Sequence, residues 1–290
     1  MRQYSYFPGC SCSEGSGKAC GKSAEAVARA LDIELFELED WNCCGSSPYS
    51  SYDELGMLSL AARNLALAEK KGFDVVTPCT SCHVILSQAN LNLTKYPETK
   101  AKVDQALAAG GLKYNGTINV RHILDVFVND IGYEAIRARV KKDLSGLKVA
   151  PYYGCQIVRP RPSFDHSEDP VTMDKLITTL KAEATVFTLK SRCCGSSLVL
   201  SEEAIALELI KKLLDSAVAG GAQCIVTTCP LCQMNVDLYQ QSVNKKYRTN
   251  FDIPVLFFTQ LMGLAFGLSE KDLELKTSVI PVEKALARYL

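Results

Sequence analysis

A duplicated arrangement of cysteines constrains this 290-residue chain more than any other feature of its sequence. The same five-cysteine pattern occurs twice, as Cys10, 32 residues, Cys43-Cys44, 34 residues, Cys79-x-x-Cys82, and as Cys155, 37 residues, Cys193-Cys194, 34 residues, Cys229-x-x-Cys232. Gly-Ser-Ser follows each adjacent pair, at residues 45–47 and 195–197. Two copies with the same order and the same neighbours indicate an internal repeat rather than chance.

The repeat divides the chain into two halves of similar length. Equivalent cysteines are 145 residues apart at the first position (155 − 10) and 150 residues apart at the later positions (193 − 43 and 229 − 79). The five extra residues of the second half are assigned to the loop 159–170, which is rich in Pro and charge. A boundary near residues 142–146 gives a first domain of residues 1–145 and a second of residues 146–290.

Helical and strand patterns alternate within each half. Apolar residues recur at helical spacing in Glu54–Lys71 and Glu202–Ala219, and short apolar strands are predicted at Ile33–Leu38, Phe73–Thr77, Thr185–Leu189 and Cys224–Thr227. The alternation predicts an α/β protein with two pseudo-symmetric Rossmann-like halves. Each half is expected to have a short, mainly parallel sheet flanked by helices, with cysteines at the strand carboxyl ends and a CxxC pair that begins a helix.

The composition excludes several classes of protein. Lys plus Arg and Asp plus Glu are both 32, so the zero net charge does not favour a nucleic-acid partner. No apolar run reaches the roughly 18–20 residues of a membrane helix, and no signal peptide is recognised, so we expect a cytoplasmic protein without direct membrane insertion. In a reducing cytosol, 13 cysteines indicate metal or redox chemistry rather than structural disulfides.

Clustered thiolates are soft ligands that select zinc, copper(I) or iron–sulfur clusters. A CxxC turn at a helix start aims two sulfurs at one point, where the helix dipole favours the thiolate. The adjacent cysteines can face one site only if the backbone leaves the strand conformation, a freedom that Gly45 and Gly195 supply. Zinc and ordinary cubane clusters take four ligands, so five thiols suggest an unusual cluster or four ligands plus one reactive thiol.

The tandem pattern resembles the cysteine-rich CCG domain family, and a chain of this size without a fused ferredoxin domain is similar to the B subunit of heterodisulfide reductase. The resemblance implies two noncubane [4Fe-4S] clusters, with zinc in one half as the alternative. One cluster would be held by Cys10, Cys43, Cys44, Cys79 and Cys82, and the other by Cys155, Cys193, Cys194, Cys229 and Cys232. The cysteines implied in catalysis are Cys10, Cys43, Cys44, Cys155, Cys193 and Cys194.

The family mechanism implies that two facing clusters each donate one electron to a disulfide or a related sulfur substrate. The implied partners are a ferredoxin-like C subunit with [4Fe-4S] clusters and a flavoprotein A subunit, because this chain has no flavin or nicotinamide motif of its own. Relatives of this kind also act on other sulfur compounds, including in sulfur oxidation, or pass electrons within organic-acid oxidoreductases. A non-catalytic electron-transfer subunit is therefore the main alternative, and a zinc-stabilised scaffold is a third.

Several residues outside the repeat have open roles. Cys224 lies in an apolar strand and is expected to pack in the core, whereas Cys12 and Cys20 could reach the cluster region. Arginines near the second set could anchor a sulfonate, phosphate or carboxylate group, and these are Arg159, Arg161 and Arg192. His83 is expected to be an ordinary helix residue with a local hydrogen bond, and Trp41 is expected to serve packing.

Overall fold

The computed structural model describes residues 1–13, 15–46, 49–160 and 164–290. The strands are β1 (Arg2–Tyr6), β2 (Ile33–Glu37), β3 (Val75–Thr77), β4 (Val120–His122), β5 (Lys148–Tyr152), β6 (Glu183–Ala184), β7 (Cys224–Thr227) and β8 (Val255–Phe257). The helices of the first half are α1 (Cys10–Ser13), α2 (Lys18–Ala30), α3 (Tyr49–Tyr52), α4 (Glu54–Lys71), α5 (Thr80–Lys95), α6 (Pro97–Ala109), α7 (Ile123–Asp125) and α8 (Tyr133–Ala138). Those of the second half are α9 (Thr172–Thr179), α10 (Glu203–Ala219), α11 (Pro230–Leu238), α12 (Gln240–Tyr247), α13 (Phe258–Ala265) and α14 (Glu283–Leu286). Short 3-10 turns occupy Gly15–Gly17 and Leu275–Thr277, and a π-helical turn occupies Val126–Ile131.

Each half contains a four-stranded parallel sheet with the same strand arrangement. The first sheet has the order β2-β1-β3-β4 and the second the order β6-β5-β7-β8. All six strand pairings are parallel, with Ser5 opposite Val75 in the first half and Val149 opposite Cys224 in the second. Helices flank both sheets, as crossover connections between parallel strands require. The predicted α/β fold with two similar halves is confirmed.

The helix that precedes the central strand has clear start and stop signals. Helix α4 begins after Asp53, whose side chain accepts a 2.8 Å hydrogen bond from the Gly56 N–H. It ends at Gly72, whose φ of +78° is a left-handed conformation that glycine adopts without strain. The predicted limits Glu54–Lys71 are those observed, and the counterpart α10 starts one residue after the predicted Glu202.

The predicted strand Thr185–Leu189 is wrong in its position. The observed strand β6 covers only Glu183–Ala184, and Val186 beyond it is 78% exposed. The chain then turns, and the Lys190 carbonyl accepts hydrogen bonds from the N–H groups of Tyr153 and Gly154. Because the chain folds back toward the end of β5 here, it cannot continue the ladder beside that strand. The first-half counterpart, β2, lies within the predicted Ile33–Leu38.

The two halves share one hydrophobic core. Buried residues of the first half, including Val27 and Phe127, belong to the same cluster as Val149 and Phe258 of the second half. Helix α2 packs against α13, and the Ser23 and Thr259 hydroxyls are 2.6 Å apart across this contact. The association of the halves is therefore part of folding rather than a separate docking step. A boundary at residue 145/146 remains our proposal for the domain limits.

We predict that His122 makes stability depend on pH. Burial, and then the nearby His83, lower the pKa of His122 to about 3, whereas an unfolded histidine titrates near 6.5. The unfolded chain therefore binds more protons between these values, and stability is lost as the pH falls below about 6.5. From pH 7.5 to 5.0 this group should lower the free energy of unfolding by about 2 kcal/mol.

The matched variant is His122→Asn, because its side-chain oxygen can replace the Nδ1 atom that accepts the Leu124 N–H. Anaerobic denaturant unfolding at pH 7.5 and 5.0 should show a smaller loss of stability in the variant than in the parent protein. Equal losses in the two proteins would contradict the assignment.

Candidate functional site

The cysteines of each set stand where parallel strands end. In the first half β1 leads through a turn at Gly9 to Cys10, and β3 leads to Cys79, the residue that precedes α5. In the second half β5 leads to Cys155, and β7 leads to Cys229, which precedes α11. The predicted start of a helix at each CxxC pair is confirmed. Because the sheets are parallel, these strand ends lie at one edge and bring distant cysteines together.

The sulfurs of the first set form a contiguous group. Cys10 Sγ lies 3.9 Å from Cys43 Sγ, and Cys44 Sγ lies 3.4 Å from Cys82 Sγ. Cys79 contacts Cys82 and completes the group. Cys10 and Cys43 are exposed, whereas the other three sulfur side chains are buried. The set therefore has an open edge and a closed interior.

The second set has the same arrangement. Cys194 Sγ lies 3.6 Å from Cys232 Sγ, while Cys193 contacts Cys155 on the outer side. Cys193 is exposed and Cys155 is half-buried, whereas the inner cysteines, including Cys229, are buried. Two thiolates on one tetrahedral metal, each about 2.3 Å from it, lie about 3.8 Å apart. The observed spacings fit shared soft-metal ligation, and all 13 cysteines have free thiols.

The backbone at both adjacent pairs leaves the strand conformation as predicted. Residues 41–46 have no regular secondary structure. Gly45 and Gly195 have φ values of +87° and +78°, which a larger residue would adopt only with strain. This turn places Cys43 outward and Cys44 inward. Ser47, the last residue of the first Gly-Ser-Ser, lies outside the described residues.

Two further glycines are essential to the geometry, although the five-cysteine pattern does not include them. Gly9 and Gly154 precede the first cysteine of each set, and both have a φ of +73°. A Cβ atom on Gly9 would lie 2.6 Å from Cys82 Sγ, and one on Gly154 would lie 3.0 Å from Cys232 Sγ. Only a residue without a side chain lets the strand end approach these sulfurs. The shared Gly-Cys step at both positions of the repeat was the available signal.

Hydrogen bonds between thiols divide each set into proton donors and acceptors. The pKa of Cys44 is lowered to about 4, chiefly because Cys43 donates to it. The pKa of Cys193 is lowered to about 2, chiefly because Cys155 donates to it. These bonds raise the pKa values of the donors, Cys43 and Cys155. The pKa of Cys79 is also lowered, chiefly by hydrogen bonds from Cys12 and Cys82. The first set thus favours thiolates at Cys44 and Cys79 and the second a thiolate at Cys193, and a metal that binds all the thiols of a set would release the remaining protons.

The donor chemistry of both sets is that of soft-metal ligation. Within the described parts of the chain, no three Cys, His, Asp or Glu side chains surround one point at metal-ion distances. The thiols instead line a surface of sulfurs, exposed at one edge, which is the ligand type that iron–sulfur clusters use.

Polar contacts join the two sets across the junction between the halves. The Thr80 hydroxyl lies 3.1 Å from the Thr228 carbonyl and 3.2 Å from its hydroxyl, directly beside Cys79 and Cys229. The Ser81 hydroxyl donates a 2.7 Å hydrogen bond to Gln156. These contacts place the two CxxC helix starts against each other, so the sets are neighbours rather than independent sites.

Two of the three cysteines outside the repeat also lie at this junction. Cys12 and Cys20 are buried, and Cys12 contacts both Cys20 and Cys79. Their pKa values are raised, that of Cys12 chiefly by hydrogen bonds to these neighbours and that of Cys20 by burial. Cys224 is fully buried in β7, away from both sets, and its pKa is raised to about 12 by burial. The expectation that Cys224 packs in the core is confirmed.

A cavity of about 420 Å³ opens beside the outer cysteines of the second set. Cys155 and Cys193 line it together with Arg159, Arg192 and Lys212. Arg159 pairs with Glu168 at 2.7 Å, and Lys212 pairs with Glu208 at 2.7 Å. Arg192 makes no ion pair with any residue that the structure describes, so its positive charge is available to bind an anion in the cavity. Arg161 lies outside the described residues.

The remaining candidates have mixed outcomes. Trp41 packs edge-on against Phe7, with ring centres 5.5 Å apart, which confirms a packing role. His83 lies in α5, but its Nδ1 atom has no hydrogen-bond partner among the described residues. The local hydrogen bond expected for His83 is therefore not observed at that atom.

Comparison with known proteins agrees with this geometry. Residues 4–87 and 149–237 each match the cysteine-rich (CCG) domain. The chain belongs to this family. It is similar to the 8-methylmenaquinol:fumarate reductase membrane anchor subunit of Wolinella succinogenes, with 37% identity over 98% of this chain and 99% of the relative. It is also similar to the B subunit of the ferredoxin/F(420)H(2)-dependent CoB-CoM heterodisulfide reductase of Methanosarcina acetivorans, with 33% identity over 92% and 90%.

A solved structure supports the fold alone. A hypothetical protein from Helicobacter pylori superposes with a TM-score of 0.76 at 18% identity, over 96% of this chain. The present chain spans about half, 52%, of that structure's chain. None of the helices in the described parts combines the length and apolar character that crossing a bilayer requires.

We predict that the two glycines beside the first cysteines control metal loading. Gly9→Ala should lose roughly half of the bound iron, because its Cβ would displace Cys82 and leave the second set intact. Gly154→Ala should lose the iron bound by the second set and keep the iron bound by the first. Anaerobic iron and sulfide determination measures both outcomes.

Gly72→Ala and Gly221→Ala are the matched controls. These positions have φ values of +78° and +73°, but a Cβ there would meet nothing within 4 Å. The controls therefore carry the same backbone strain without the contact and should keep full iron. Equal iron loss in test and control variants would show that strain, not sulfur placement, is responsible.

Proposed function

We propose that this chain is the iron–sulfur catalytic subunit of a heterodisulfide reductase or a similar complex. The broader assignment of this chain as an iron–sulfur oxidoreductase subunit is supported by the tandem CCG domains and by its reductase relatives. In the finer proposal, each five-cysteine set holds one noncubane [4Fe-4S] cluster. Together they reduce a disulfide, or act on a related sulfur substrate, in two one-electron steps.

The observation that carries the catalytic role is the cavity beside Arg192 at the second set. Cys155 and Cys193 face it, so a sulfur compound can reach the outer edge of that set. Arg192, which makes no ion pair with the described residues, gives one wall a positive charge that suits an anionic group. Arg159 and Lys212 are each paired with a carboxylate, and leucine side chains line the rest of the cavity. A pure electron relay has no need of an open, charged cavity at its cysteines.

The chain's own residues would position the substrate and keep water from the inner sulfurs. Arg192 would bind an anionic group while the disulfide bond lies against Cys155 and Cys193. The bound clusters would supply the two electrons, one from each set. Cleavage takes up two electrons and two protons and yields two thiols, and the buried inner cysteines stay shielded from solvent throughout.

Electrons must come from partner proteins, because the chain carries no flavin or nicotinamide motif. We propose a ferredoxin-like C subunit with [4Fe-4S] clusters, fed by a flavoprotein A subunit. The curated relatives are named as subunits of larger reductases, which agrees with an obligate complex.

A second candidate is an electron-transfer subunit of a larger oxidoreductase that acts on an organic acid. The Wolinella relative, named as a fumarate reductase subunit, favours it with 37% identity over almost the whole chain. The closely packed junction at Thr80 and Thr228 would then be the route between the two sets. A sulfur-oxidising subunit would be a variant of the first proposal in which the redox reaction runs in the oxidative direction.

We predict about eight irons and eight acid-labile sulfides per chain in anaerobically purified protein. Cys44→Ser and Cys194→Ser should each remove or alter one cluster and leave the other, as measured by iron content and absorption. Cys224→Ser, in the core away from both sets, is the control and should keep full iron. A colourless protein with bound zinc would overturn the cluster proposal.

We predict that Arg192→Ala raises the KM for an anionic disulfide roughly tenfold at unchanged iron content, with a reduced viologen dye as the electron donor. Lys211→Ala is the control, because Lys211 pairs with Asp215 on α10 and does not line the cavity. Full iron loading with fast electron transfer but no turnover of any disulfide or thiol would favour the electron-transfer candidate instead.

A further inference from the structure

Two buried cysteines that belong to neither five-cysteine set lie behind the first of these sets. Cys12 and Cys20 are each only 3% exposed. They share one buried cluster with the inner cysteines of the first set, which are Cys44, Cys79 and Cys82. Because these two thiols are closed to solvent, they can act on the neighbouring metal site but not on a soluble molecule.

The turn that supplies an outer ligand also fixes Cys12 on the inner side. Helix α1 begins at Cys10, and the Gly9 carbonyl accepts hydrogen bonds from the Cys12 N–H at 3.1 Å and from the Ser13 hydroxyl at 2.8 Å. Cys10 is exposed, whereas Cys12 is buried. A Cβ atom on Gly21 of α2 would lie 2.4 Å from the Cys12 carbonyl oxygen, so α2 packs tightly behind the turn. The position of the Cys12 side chain is therefore held from two directions.

The thiol of Cys12 is placed to donate a hydrogen bond to Cys79. Its sulfur contacts the sulfurs of Cys20 and Cys79. The Cys20 thiol has an acceptor of its own, the Pro78 carbonyl oxygen at 3.7 Å. A sulfur that is bound to iron carries no proton and can only accept, and a thiolate is a stronger acceptor than a thiol. The Cys12 proton is therefore directed to Cys79 once that sulfur binds metal.

The second half has an apolar residue at the equivalent place. With the offset of 145 residues that relates the first cysteines of the two sets, Cys12 corresponds to Ile157, which is buried and has no side-chain donor. The Tyr152 oxygen lies 3.9 Å from Cys232 Sγ, but its proton is donated to the Arg192 carbonyl at 2.8 Å. The inner thiol donor is thus a feature of the first set.

Hydrogen bonds to the ligand sulfurs are one determinant of the reduction potential of an iron–sulfur cluster. The reduced cluster carries more negative charge, so a donor stabilises it more than it stabilises the oxidised cluster. We propose that the buried Cys12 thiol raises the reduction potential of the first cluster by donating an S–H hydrogen bond to Cys79, so that the two sets are unequal electron acceptors. The inference rests on the proposed function only in requiring a cluster at the first set, and it holds for the electron-transfer candidate as well.

Replacement of Cys12 by apolar residues tests this hydrogen bond. Cys12→Ala and Cys12→Val remove the donor, and the larger Val keeps water from taking its place. Each should lower the equilibrium constant for reduction of the first cluster roughly tenfold, which is a fall of about 59 mV in its midpoint potential. Cys12→Ser keeps a donor and should stay at or above the parent value. Anaerobic redox titration followed by EPR spectroscopy measures these potentials, and the first-cluster signal is the one that Cys44→Ser removes or alters.

Two controls separate the hydrogen bond from a general loss of packing. The potential of the second cluster should not move in any Cys12 variant. Cys224→Ala removes a fully buried thiol away from both sets and should leave both potentials unchanged. An unchanged first-cluster potential in both apolar variants would overturn the inference, and so would loss of first-set iron from them, because Cys12 would then be a ligand. Absence of iron from the first set of the parent protein would instead refute the cluster proposal, and the inference with it.

Infrared spectroscopy of the iron-loaded parent protein tests the donor even where the apolar variants fail to fold. The Cys12 S–H group should give a stretching band that its hydrogen bond shifts to lower frequency. The band is assigned by its absence from the conservative variant Cys12→Ser. A parent protein without this band would have no proton on Cys12, and the inference would be wrong.

Discussion

The close approach of a strand end to a cysteine sulfur sets the geometry of both sites. In each half, a glycine at a φ of +73° lets the chain pass within contact distance of the second sulfur of the CxxC pair. This contact fixes where Cys10 and Cys155 stand relative to the helix starts, and the adjacent cysteines then close the set from a neighbouring loop. The parallel sheet supplies the common edge, because all these segments leave it at their carboxyl ends.

The same edge also brings the halves together. Thr80 and Thr228 lie beside the first cysteine of each CxxC pair and meet across the junction, so the contact between halves passes directly between the two sets. Cys12 and Cys20 fill the space beside it on the first-half side. The arrangement has approximate two-fold symmetry in its strands and cysteines, but not in its surroundings. The cavity beside Arg192 belongs to the second set, whereas the additional buried cysteines, Cys12 and Cys20, belong to the first half.

The alternation of strands and helices and the convergence of the cysteines could be predicted, because they depend on short-range patterns that occur twice. Helix α4 has its cap and its terminal glycine in the sequence, and the CxxC pairs mark the starts of α5 and α11. The position of β6 could not be predicted, since the apolar run after it is diverted by hydrogen bonds to the end of β5. Exposure of individual thiols and the charge around Arg192 depend on distant segments that no local pattern identifies.

The hydrophobic core that both halves share has a consequence for how such a protein could arise. Val27 on α2 and Phe258 on α13 belong to one buried cluster, so separation of the halves would expose apolar surface to water. A chain with a single copy of the repeat would have the same exposed face, and a second identical chain related by a two-fold axis would cover it. Gene duplication then converts a homodimer into one polypeptide. Only after that step can the two halves change independently, and the cavity at Cys155 and Cys193 is lined by residues of the second half alone.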